Sequence, residues 1–158
     1  MKNHPEQMPR PQPELRSDYT VFRPISTRWA DNDAYGHVNN VVYYAWFDTA
    51  VNAYLIEQGA LDIHQGKTIG LVVETQCNYF LPVTFPQPVE IGIRVALVGS
   101  ASVRYELGVF TANALGEFVV CAAKGHFVHV YVDKLARRPT PLSITFKSIL
   151  EKLKHVGN

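Results

Sequence analysis

A chain of 158 residues, 47% hydrophobic and 18% charged, is long enough for one domain with a substantial core and too short for two. A formal net charge of +1 gives no general attraction to nucleic acid or to an anionic membrane surface, which argues against both as partners. The two cysteines, Cys77 and Cys121, lie in apolar runs far from any CxxC spacing, so a disulfide framework and a zinc site are not expected, and a reducing, cytoplasmic setting is.

The N-terminal stretch MKNHPEQMPRPQPELRS has no apolar segment of the kind a secretory signal needs. Pro5, Pro9, Pro11 and Pro13 exclude helix and favour an extended, poorly ordered lead-in. Residues 1–17 are therefore expected to form a disordered tail, and residues 18–158 a single domain. No uncharged run approaches the length that spans a bilayer.

From Tyr19 to Ala30, aromatic and β-branched residues predict a strand, with Pro24 marking an edge or a bulge. The polar decapeptide DNDAYGHVNN (31–40) follows, and after it a helix from about Asn40 to Gln58 with Gly59 at the position just past its end. Val41, Val42, Tyr44, Ala45, Phe47, Val51, Tyr54, Leu55 and Ile56 leave this helix no broad polar face, which predicts burial on nearly every side. Asp48, midway along it, needs a partner, expected in Asn52 one turn on or in a group across a subunit interface.

Beyond Gly70 the apolar period changes to two. Leu71-Val73-Thr75-Cys77-Tyr79, Val89-Ile91-Ile93-Val95-Leu97 and Val103-Tyr105-Leu107-Val109 each alternate, as does Phe118-Val120-Ala122 running on to Val128, Val130 and Val132. Breaks at 82–88, 99–100 and 113–116 supply turns, and a short helix over 143–153 closes the chain. The order is strand, long helix, four strands in a meander, terminal helix: an α+β domain whose sheet curls around the helix. Such a sheet keeps an uncovered edge, which predicts oligomerisation. His126 and His129 fall on opposite faces of the last strand, and each reads as a sheet-surface residue.

Three kinds of chemistry can use DNDAYGHVNN. A D-x-D with Gly at the sixth place begins like a calcium loop, but Tyr35 and Val42 occupy two places where that loop needs ligands, and no metal is expected. A structural use is also complete: Asn39 or Asn40 as helix cap, Gly36 at positive φ, and Asp31 or Asp33 paired with Arg28 or set near the helix's positive end. The third use is catalytic. Free N–H groups at the helix start receive a developing oxyanion, and a carboxylate beside them attacks an acyl carbon or deprotonates a water that does.

The stretch TRWADNDAYGHVNNVVYYAWFDTA resembles the signature of hotdog-fold thioesterases, in the branch of 4-hydroxybenzoyl-CoA thioesterase and its acyl-CoA thioesterase relatives. The similarity runs from about Tyr19 to Pro141 and takes in NYFLPVTFPQPVEIGIRV and HVYVDKLARRPTP. It implies a hotdog fold, a curved antiparallel sheet wrapped around one long buried helix, with subunits paired into a homodimer or homotetramer and active sites at their interface. It places the catalytic carboxylate on Asp33, as nucleophile or general base, and the oxyanion donor on the backbone N–H of Asn40. His37 is expected to orient the Asp33 loop or donate near the thioester. Tyr35, Gly36 and Tyr43 are the candidate substrate contacts, Asp31 a structural partner of Arg28, and Asn39 a cap.

The implied activity is hydrolysis of an acyl or aryl thioester to the free acid and CoA. No bound cofactor is expected, CoA being part of the substrate. The turn LVGSASV lacks the basic clamp with which some relatives hold nucleotide phosphates. Arg94, Arg104, Lys124, Arg137 and Arg138 are the available substitutes, and acyl carrier protein stays open as the carrier. The competing readings are a hydratase or dehydratase on the same fold, and a non-catalytic acyl-ligand binder.

Overall fold

The alternating segments become five antiparallel strands in a computed structural model that describes residues 8–155. They are β1 (Val21–Ile25), β2 (Thr68–Tyr79), β3 (Val89–Val98), β4 (Ser102–Ala112) and β5 (Phe118–Asp133), with helices α1 (Asn40–Glu57) and α2 (Ile144–Glu151). The sheet order is β1-β3-β4-β5-β2. Only β3, β4 and β5 form the expected meander; β2 pairs with β5 at one edge and β1 with β3 at the other. Residues 80–88 make the crossing. They leave β2, pass the start of α1 and re-enter the sheet at β3, beyond the two intervening strands β5 and β4, so Val83 is buried and its carbonyl accepts the Val38 N–H at 2.7 Å.

β1 is shorter than the 19–30 strand expected from composition. It ends at Ile25 because the chain turns into a 3-10 segment, Trp29–Asp31, held by the Asp31 carboxylate on the Arg28 N–H. Pro24 sits where it costs no ladder bond, on an edge strand.

The helix start and stop follow local chemistry. The Asn39 side chain accepts the Val41 N–H, and Gly59, at φ 74°, lets the Gly59 and Ala60 N–H groups close back on the Ile56 and Leu55 carbonyls. Tyr43, Trp46, Phe47, Ala50, Val51 and Leu55 are buried. They form one core with Ile91, Ile93, Tyr105, Leu107, Val109 and Phe127 of the sheet. The opposite side of α1 is not enclosed: Val41, Ala45, Asp48 and Thr49 are exposed, because a single sheet curls over one side of the helix only. Asn52 does not serve Asp48 as expected. Its amide donates to the Asp48 backbone carbonyl, and the carboxylate has no partner among the described residues.

The N-terminal residues 1–7 of the expected tail lie outside the described residues. From Glu14 onward the chain is tied to the outer face of the sheet, contrary to a disordered segment reaching 17. Glu14 accepts bonds from Tyr19 Oη at 2.8 Å and Lys124 Nζ at 3.1 Å and pairs with Arg94 at 3.0 Å. Arg16 pairs with Glu90 at 2.7 Å. The Tyr19 ring lies over Gly92 and Gly108, paired residues of β3 and β4, where an added Cβ would come within 2.8 Å of a ring atom.

Candidate active site

Residues 31–40 form a tight hairpin-like loop that delivers the chain into α1. Asn32 and Val38 bridge across it, the Asp33 N–H donates to the His37 carbonyl at 2.9 Å, and the Gly36 N–H to the Asp33 carbonyl at 3.1 Å. Gly36 takes the left-handed conformation, φ 80°, that the turn demands. The crossing segment braces the loop: Thr84 Oγ1 donates to the Gly36 carbonyl and the Phe85 N–H to Asn32 Oδ1.

Two acids in this loop have different settings. Asp31 is 1% exposed, accepts the Arg28 N–H at 2.7 Å and Nε at 3.0 Å, and through its own carbonyl takes the Asn39 N–H. It holds the loop together. Asp33 is half-buried. Its Oδ1 accepts the Tyr35 N–H at 2.8 Å, and Oδ2 has no partner among the described residues.

The amides leading into α1 show a parallel pattern. Val38 N–H donates to Val83, Asn39 N–H to Asp31, and Val41 N–H to the Asn39 side chain. The Asn40 N–H between them donates to nothing among the described residues. It stands at the positive end of an 18-residue helix, the position at which a negative oxygen is best received.

Asp33, Asn40 and His37 line one cleft of about 410 Å³, together with Tyr35, Val38, Tyr43 and the Tyr79–Pro82 run at the end of β2. Five of the six residues expected at the site are therefore brought together. Gly36 is not among the lining residues; it shapes the turn. The His37 backbone carbonyl accepts the Asp33 N–H, and its ring makes no hydrogen bond among the described residues. Tyr43 is both core and cleft wall, at 3% exposure, while Tyr35 stands exposed at the rim. Tyr79, Phe80, Leu81 and Pro82 were not anticipated as a wall. Alternation predicts that Tyr79 faces the helix, but only the crossing of 80–88 carries the residues after it past the helix start.

The remaining ionisable residues lie elsewhere. Arg94 is held by Glu14 and Glu106 on the outer face of the sheet, Arg104 approaches Glu74 and Glu106, and no Arg or Lys among the described residues lines the cleft. His126 bonds Glu74 at 2.6 Å on that outer face, whereas His129 is 2% exposed on the opposite face, against Tyr105 and Phe127. Neither is a surface residue. The long side chains beside His126 and the aromatic core around His129 cover them.

A model of the thioesterase-like superfamily matches residues 27–153. The chain belongs to this superfamily. Its likeness to the PA5185 protein of Pseudomonas aeruginosa is 51% in sequence identity, with a TM-score of 0.86 over 93% of this chain and 100% of that one. Slr0204 of Synechocystis, a 1,4-dihydroxy-2-naphthoyl-CoA thioesterase, shares the fold at 15% identity, with a TM-score of 0.72 over 84% and 96% of the two chains. YsmA of Bacillus subtilis is 26% identical over 104 residues, 66% of this chain and 65% of that protein. The antiparallel sheet curled on one long helix is the hotdog fold. Among the described residues no helix is long and apolar enough to cross a membrane.

Proposed function

We propose that this superfamily member is an acyl-CoA thioesterase, hydrolysing a thioester to the free acid and CoA. The observation that carries the reading is a pair of groups in one cleft, Asp33 Oδ2 and the Asn40 N–H, neither of which has a partner among the described residues, while the Val38, Asn39 and Val41 N–H groups on either side of Asn40 are bonded. The thioester carbonyl oxygen, negative in the tetrahedral state, is received by the Asn40 N–H at the helix end. Asp33 either takes the proton of an attacking water or bonds the acyl carbon itself, forming an anhydride that water then opens. In both routes a C–O bond forms, the C–S bond breaks, and the departing thiolate takes up a proton. On this reading His37, which lines the same cleft, donates toward the thioester, and Tyr35 and Tyr43 contact the acyl group.

A homodimer, alone or doubled into a tetramer, is proposed on the bare edge of β2 and the exposed side of α1. CoA is the proposed carrier, and acyl carrier protein is the alternative to include in the assay. Thiol release should be followed over a panel of aliphatic and aromatic acyl-CoAs with wild type and Asp33→Asn side by side. Wild type is expected to hydrolyse at least one, and Asp33→Asn to lose about a hundredfold or more in kcat with its melting temperature retained. Near-normal turnover by Asp33→Asn removes Asp33 from the mechanism.

A further inference from the structure

Asn40 N–H can serve an oxyanion only if residue 40 is held still, because a hydrogen bond to a developing charge weakens steeply with misalignment. The first residue of a helix is poorly placed for that, since its own N–H has no intrahelical acceptor. Here its carbonyl is gripped from outside: Tyr79 Oη donates to the Asn40 carbonyl at 3.0 Å.

Tyr79 is well anchored for such a grip. It is the last residue of β2, paired with Ala123, and directly beyond it the Phe80 and Leu81 N–H groups both close on the Ala122 carbonyl, at 2.8 and 3.1 Å. Its ring stands edge-on to Tyr43, centroids 4.9 Å apart, and Tyr43 is locked in the core. Burial, with Cys77 and Tyr44 beside it, raises the Tyr79 phenol above its ordinary value, so the hydroxyl stays protonated and keeps its proton to donate.

We propose that Tyr79 is a positioning residue for the oxyanion donor, its hydroxyl fixing Asn40 so that the free N–H is presented to the thioester carbonyl in the cleft. The inference rests on the thioesterase reading above. It separates two roles within one side chain: the ring forms the cleft wall and contributes to substrate binding, while the hydroxyl acts through Asn40 and is felt in the transition state.

Removing the hydroxyl alone tests this. Tyr79→Phe, wild type and Asp33→Asn are compared on the same acyl-CoA, with thermal melts and with inhibition by CoA and by a trifluoromethyl ketone analogue of the thioester, which mimics the tetrahedral oxyanion. Tyr79→Phe is expected to lose about tenfold in kcat with KM within about twofold of wild type. Its affinity for the ketone should fall by the same factor, with its affinity for CoA and its melting temperature unchanged. A kcat within about twofold of wild type overturns the inference. So does a loss matched by weaker CoA binding or by a lower melting temperature, which would make the hydroxyl a brace of the fold. If Asp33→Asn is inactive and Tyr79→Phe is not impaired, this inference alone fails. If wild type hydrolyses nothing, or Asp33→Asn keeps its turnover, the reading beneath it fails.

Discussion

His129 stands among Tyr105, Phe127 and Tyr131; among the described residues its buried Nε2 has no partner, and Nδ1 has a long contact of 3.5 Å to Tyr131 Oη. Burial lowers its pKa from 6.5 to about 4. Above pH 6.5 the ring is neutral in folded and unfolded chains alike, and stability is at its full value. As pH falls from 6.5 toward 4 the unfolded chain takes up the proton first, so stability drops, by roughly 3 kcal/mol at most for this one group. Denaturant titrations at pH 7 and pH 4.5 should show the loss, and His129→Phe should flatten the part of the slope that His129 supplies. The burial itself was not legible in the alternating pattern, which gives two faces of β5 without saying which meets the helix. Asp31 was legible, since an acid three residues after Arg28 at a loop entrance has an obvious partner. Asp33 was separable from it only by resemblance: composition gives two similar acids, and the difference lies in which carboxylate oxygens the fold leaves free.

Elements bounded by local chemistry were read closely. Asn39 and Gly59 enclose α1 because a side-chain acceptor and a left-handed residue are needed at those two places, and both needs are written in adjacent residues. Gly59→Ala keeps every side chain of the helix and strains only the φ 74° backbone, so it should cost about 1 kcal/mol, read as a lower denaturation midpoint with kcat little changed. Elements joined by distant partners were not read. Period-two segments say that β2 and β3 are strands, yet not that β2 belongs beside β5. The docking of Glu14 likewise depends on Arg94 and Lys124, 80 and 110 residues away. The tail looks disordered in sequence because its prolines are local and its anchors are not. The same limit hid the Tyr79–Pro82 wall of the cleft, which exists only because the crossing segment passes the helix start.

At the scale of the whole molecule, β2 is a long edge strand with one open side, and its exposed residues include Leu71, Val72 and Val73. Natural edges of this length are shielded by charge, by a proline or by a partner, and this one carries a single charge, Glu74, beside the apolar run Leu71–Val73. The exposed side of α1 nearby includes Val41, Ala45 and Asp48, whose carboxyl is raised by partial burial and has no partner among the described residues. A second copy laying its β2 antiparallel to this one would satisfy the free ladder groups and cover these apolar residues. It would also close the cleft beside Tyr79, which is open in a single chain. Val73→Lys tests the arrangement with little cost to the monomer, because Val73 is 60% exposed and sits at the irregularity between Val72 and Glu74. Sedimentation should show the wild type as a dimer or tetramer and Val73→Lys shifted to monomer, with an unchanged far-ultraviolet dichroism spectrum. If the partner covers the open side of the cleft, thioester turnover should fall as the monomer fraction rises and return as protein concentration rises. A Val73→Lys protein that stays assembled would move the interface away from the β2 edge, and a fully active monomer would place the whole catalytic apparatus within one chain.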